Sequence, residues 1–108
     1  MILKDLMKEV HITAKEKGWW DLNRSPGEIL FLVISEVTEA FEEWRAGRKL
    51  QEIYYKDGKP EGVPVELADA VIRIADFCEF EKIPLEEAIK IKLEFNKTRS
   101  YRHGNKQA

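Results

Sequence analysis

The chain predicts an all-α fold, a four-helix bundle followed by a basic C-terminal tail. Three observations carry that reading. Apolar residues recur at three- and four-residue steps, proline and glycine stand where helices should begin and end, and no run alternates as a half-buried strand would. The first helix spans about Ile2 to Lys17, with Leu3, Leu6, Met7, Val10 and Ala14 on one face and Gly18 as its stop. Residues 19–24, which begin with Trp19-Trp20, form a connection. Ser25-Pro26-Gly27-Glu28 is a capping box with proline at the first helical position, so a second helix begins there and runs to about Ala46, before Gly47. Residues 48–63, with Asp57-Gly58 and Lys59-Pro60-Glu61-Gly62, read as turns and loop, with room for a short hairpin around Tyr54 and Tyr55. Pro64 opens a third helix to about Glu81. Pro84 opens a fourth to about Arg99, and the last nine residues are the tail.

Length and composition bound the function classes. At 108 residues and 12.6 kDa the chain fits one domain, spanning residues 1–108. With 44% hydrophobic and 35% charged residues it reads as a soluble globular protein. No apolar run approaches the ~20 residues of a membrane span, so no membrane partner is expected. The N-terminus lacks signal-peptide architecture, which makes the cytoplasm the expected compartment. A single cysteine, Cys78, excludes a disulfide framework and a cysteine-rich zinc site. A net charge of −2 is not the footprint of a nucleic-acid polymer binder.

That average hides a segregation. Glu28, Glu36, Glu39, Glu42 and Glu43 fall in a stretch without a basic residue, whereas Lys90, Lys92, Lys97, Arg99, Arg102 and Lys106 face only Glu94 in the last nineteen positions. An acidic middle and a basic end suggest a cation site and an anion site, or simply two solvated faces.

Helical geometry sharpens the first of these. Glu36 and Glu39 are three residues apart, as are Glu66 and Asp69, so each pair shares a helix face. On the third helix Glu66, Asp69, Arg73 and Asp76 fall within an arc of about 80°, and apolar residues fill most of the rest. The second helix repeats the design with Glu28, Glu36, Glu39 and Glu43. A solvated face is usually broad and mixed in charge, so narrow acidic arcs point inward or into a cleft. Carboxylates crowded there must protonate, pair or bind a cation. Three readings remain: a divalent-cation site, an ion-pair network using Arg73, or a solvated face. If a cation is bound, all-oxygen ligands suit Mg²⁺, with Mn²⁺ as a substitute; zinc and iron would recruit histidine or cysteine. Neither His11 nor His103 stands three residues after an acid, as a di-iron helix bundle would need.

At these residues the sequence resembles the MazG-like nucleotide pyrophosphohydrolases of the all-α NTP pyrophosphatase superfamily. The family pattern Glu-Glu-x-x-Glu, spacer, Glu-x-x-Asp appears as Ser35-Glu36-Val37-Thr38-Glu39, 26 residues, then Glu66-Leu67-Ala68-Asp69. The likeness extends through residues 39–45, 59–69 and 92–99, and through Tyr101-Arg102-His103-Gly104. It implies that Glu36, Glu39, Glu66 and Asp69 form the catalytic centre and bind Mg²⁺. It also implies hydrolysis of a (deoxy)nucleoside triphosphate to monophosphate and pyrophosphate, in the service of nucleotide-pool house-cleaning. The family's Lys-x-x-x-Asn-x-x-Arg pattern maps onto Lys92, Asn96 and Arg99, which would contact the substrate; an ordinary basic helix end is the alternative for these three. Trp20 and His11 would take part in substrate binding by stacking on the base, as against core packing of the tryptophans.

One departure is Ser35, which replaces the first glutamate of the pair and leaves open the number of metal ions and the water-activating base. Glu43, one turn beyond Glu39, is a candidate substitute. Ser35 also favours the rival reading, a catalytically silent helical module that senses a nucleotide or binds a protein. Helices that are apolar over so much of their circumference, with Phe31 on the flank away from Val37 and Trp44, predict a homodimer or a tetramer of two dimers.

Overall fold

The computed structural model describes residues 2–107, and of His103 in the Tyr101–Gly104 segment only the backbone. The chain is mostly helical: α1 (Leu3–Glu16), α2 (Pro26–Arg45), α3 (Val63–Glu81), α4 (Leu85–Thr98) and a single turn α5 (Arg102–Asn105), with one two-stranded sheet, β1 (Tyr54–Lys56) and β2 (Lys59–Glu61). The expected helix limits agree with these within about a residue. A 3-10 turn at Trp19–Asp21 is additional, and the tail contains the short α5.

The start of α2 is held by Ser25, whose side-chain oxygen accepts from the Glu28 N–H at 3.1 Å. Its end is a Schellman turn: Arg48 N–H donates to Glu43 O, Gly47 N–H donates to Trp44 O, and Gly47 takes φ 98°. The hairpin turns on Asp57-Gly58, both with positive φ as a two-residue turn requires, and pairs Tyr54 with Glu61. Gly62, which joins the hairpin to α3, has φ 124°, and a Cβ there would meet Glu52 O at 2.4 Å. Only glycine fits, and its fit presses the hairpin against the chain that precedes it.

Helix α3 is central, packed on one side by α2 and on the other by α1. The α1 side forms a small core of Met7, Ala75 and Cys78 with Leu3 and Leu85 against it. Burial also pushes the Cys78 thiol up from its ordinary range, as a small apolar core residue requires. On the α2 side the buried seam is Ile29, Glu36 and Ala40, with Val33 half-buried, so a carboxylate occupies the middle of the helix contact. Helix α4 departs from the expected bundle. Only its first turn is tied down, by Leu85 and a 3.9 Å Lys4–Glu86 ion pair, and from Glu87 onward every described side chain is exposed. Among the described residues no helix is long and apolar enough to cross a membrane.

Candidate metal centre

The two helices that the acidic arcs occupy lie against each other, and the arcs meet. Glu36 and Glu39 of α2 and Glu66 of α3 each present an oxygen within 4.8 Å of the others. Glu36 and Glu66 are only 7% and 8% exposed, whereas Glu39 opens to solvent. Asp69, one turn further along α3, falls outside that trio but lies near enough to share its field. Burial pushes its carboxyl up, Glu36 adds to the effect, and Arg73 opposes it. Burial also acts first on Glu66. With the Glu39 hydrogen bond and the charges of Glu39, Asp69 and Glu36, it raises that carboxyl to about 8.

Among the described residues, one cation is ion-paired with this cluster. Arg73 Nε donates to Glu36 Oε1 at 2.8 Å, which compensates Glu36 and leaves Glu66 without a basic partner. Glu66 Oε2 is buried with no hydrogen-bond partner at all. An orphaned carboxylate oxygen inside an all-oxygen donor set fits a hard divalent cation, because ligands with bonds of ~2.0–2.6 Å stand up to about 4–5 Å apart across the ion. The Ser35 hydroxyl donates to Leu32 O at 2.6 Å, one turn back on its own helix.

A cavity of about 510 Å³ opens beside this centre, between α1, the 3-10 turn and α3. Glu36, Asp69 and Arg73 are among its charged lining residues, and Trp19, Val10 and Ile72 are among its apolar walls. Arg24 also lines it, donating to Trp19 O at 3.2 Å while its guanidinium carbon lies 5.6 Å from the Trp19 ring centre. Its Nε is buried and unpartnered.

His11 and Trp20 are brought together, but around Asp76. Trp20 Nε1 donates to both Asp76 oxygens at 2.9 and 3.1 Å, and His11 Nδ1 lies 2.8 Å from Oδ1. A carboxylate partner requires the proton on Nδ1. The Trp20 indole also stacks flat on Phe80 at 3.7 Å, so one of its faces is covered. The ring that lines the cavity is Trp19, and the tie through Asp76 joins α1, the turn and α3. Asp76 belongs to the acidic arc of α3, which is the signal for it, but its partners come from the tertiary fold. Lys92 and Asn96 lie on the exposed part of α4 and Arg99 just past its end, away from the acids of α2 and α3 in the same chain; Lys92 and Arg99 rest over the Phe95 ring at 5.0 and 5.5 Å. In comparisons with protein-family models, curated proteins and solved structures, nothing matches this chain.

Proposed function

We propose that the protein is a Mg²⁺-dependent (deoxy)nucleoside triphosphate pyrophosphohydrolase of the MazG-like kind, working in the cytoplasm as a two-fold dimer in nucleotide-pool house-cleaning. The observation that carries this reading is the meeting of Glu36, Glu39 and Glu66 from two helices, with Glu66 Oε2 orphaned; Glu36 also lines a cavity large enough for a nucleoside. Its sequence counterpart is the ordered carboxylate pattern described above.

In this reading Glu36, Glu39, Glu66 and Asp69 would hold the ion, and Arg73 holds Glu36 through its 2.8 Å hydrogen bond. A bound Mg²⁺, or Mn²⁺ in its place, would neutralise phosphate oxygens and make water a competent nucleophile near neutral pH. Trp19 and the apolar wall receive the nucleoside, which orients the triphosphate across the acidic mouth. Water attacks the α-phosphorus, the bond from that phosphorus to the bridging oxygen breaks, and pyrophosphate leaves with that oxygen. The water's proton passes to a carboxylate of the centre.

The exposed apolar surface supports the dimer. On α2, Leu30, Ile34, Val37, Phe41 and Trp44 follow a four-three-four-three spacing, the seam of a helix pair, and all are exposed. On α3 the acidic arc faces inward and Leu67 and Val71 face out. A second copy on this seam gives α4 a surface to pack on and brings Lys92, Asn96 and Arg99 of one copy toward the acids of the other. Pyrophosphate release from a panel of nucleoside triphosphates, with Mg²⁺ and with EDTA, tests the reading. Release that needs the ion and is lost in Glu39→Gln supports it; no release from any triphosphate overturns it.

A further inference from the structure

We infer that Arg24 selects the base of the nucleotide, favouring bases that present two neighbouring hydrogen-bond acceptors on one edge; this rests on the function proposed above. Arg24 stands in the connection between the 3-10 turn and α2, half-buried in the lining of the 510 Å³ cavity. A guanidinium carries five N–H donors and no acceptor. Among the described residues the Trp19 carbonyl, at 3.2 Å, is the one acceptor it reaches. Glu9 of α1 lines the same cavity, yet among the described residues no carboxylate is ion-paired with Arg24. Its Nε is withdrawn from water and has no partner. Arg73, the other guanidinium of the cavity, differs, because its Nε is taken by Glu36. A buried donor without an acceptor is costly, so Arg24 points to an acceptor that arrives with the ligand.

The donor dictates the chemistry of the edge it reads. Arg24 is anchored to the Trp19 carbonyl, with its guanidinium carbon 5.6 Å from the centre of the Trp19 ring. It is therefore fixed to the residue that forms the aromatic wall of the cavity. Trp19 is 53% exposed, so its ring is open to a base, whereas Trp20 is covered by Phe80. A base laid against Trp19 brings its edge alongside the guanidinium. A planar fork of N–H groups meets two acceptors at once only where they are neighbours, as O6 and N7 of guanine or O2 and N3 of cytosine are. Adenine and uracil alternate donor and acceptor along their hydrogen-bonding edges, so one arm of the fork would face another donor. A site built on buried donors rejects the ligand that leaves them unpaired.

The test is calorimetric binding, with Mg²⁺, of the α,β-imido analogues of guanosine, cytidine, adenosine and uridine triphosphates, which resist cleavage at the α-phosphorus. Pyrophosphate release from the four natural nucleotides is measured beside it. The parent should bind the guanosine analogue, the cytidine analogue or both about tenfold or more tightly than the other two, with the same order in kcat/KM. Arg24→Lys keeps the charge without the fork, and Arg24→Gln removes the charge. Each should bring the four analogues within about threefold of one another. Circular dichroism confirms that each variant is folded; a misfolded Arg24→Gln leaves Arg24→Lys to decide. Equal binding of the four by the parent, a preference for adenosine or uridine, or a preference kept by either folded variant overturns the role of Arg24. If the parent still releases pyrophosphate in that case, the proposed function stands without it. If no analogue binds and no pyrophosphate is released, both fall.

Discussion

Because Glu66 is buried beside Glu39, Asp69 and Glu36, its carboxyl keeps its proton well into the neutral range when no ion is bound. Its folded value of about 8 lies above the ordinary 4.5, so the stabilising contribution is complete below pH ~4.5 and is lost as pH rises through about 8. The ion-free protein should therefore melt at falling temperature between pH 5 and 8.5. Glu66→Gln, which keeps the shape and removes the charge, should melt ~5 °C higher than the parent at pH 8.5, the shift that about 1 kcal/mol gives in a domain of this size. Thermal melts in EDTA decide this, and parallel pH slopes for parent and variant would contradict it. Catalysis is predicted to respond in the opposite sense: Glu39→Gln and Asp69→Asn should each lower Mg²⁺-dependent turnover about 100-fold or more, as removal of a charge-stabilising group at a reaction centre does. The Glu36–Glu39 and Glu66–Asp69 spacings make the meeting of carboxylates legible in the sequence. The pairing of Arg73 with Glu36 in particular, and the tie of His11 and Trp20 through Asp76, depend on rotamers and on the angle between helices, which spacing does not encode.

Among the elements, the hairpin and α4 contribute what periodicity does not show. Helix limits are legible because Ser25-Pro26, Gly47 and Gly18 are local signals with local hydrogen bonds. Glu61 comes beside Glu66 through the register of the hairpin and the close approach at Gly62, both of which are long-range facts. Gly62→Ala should destabilise the chain by about 1–3 kcal/mol through strain at positive φ, read by urea unfolding. Periodicity likewise gives α4 an apolar face without saying what covers it. If that face packs on a second copy, the basic residues it carries meet the substrate. Lys92→Ala and Arg99→Ala should then raise KM about tenfold while Mn²⁺ affinity of the nucleotide-free protein stays unchanged. Unaltered kinetics would return both to a solvated helix end.

Taken whole, the isolated chain is larger than its mass warrants. Its radius of gyration is 16.5 Å, against about 13 Å for a compact domain of this length. Its surface is 8479 Å², against roughly 6,200 Å² expected of a compact monomer. The excess exceeds what one partner contributes to a standard interface, about 800 Å². No large side chain among the described residues is fully buried. If a second copy on the α2 seam supplies the missing core, as proposed, sedimentation equilibrium should find a dimer at micromolar concentration. Phe41→Glu, which places a charge in that seam, should shift the population to monomer and abolish turnover together. A fully active 12.6 kDa species would contradict the shared site.

The route of the reaction is open to one direct measurement. Turnover of a nucleoside triphosphate in ¹⁸O-labelled water, with products analysed by mass spectrometry, reports which phosphorus is attacked. Mg²⁺-dependent attack at the α-phosphorus should give one labelled oxygen in the nucleoside monophosphate and unlabelled pyrophosphate. Labelled pyrophosphate, or diphosphate with orthophosphate as products, would contradict it.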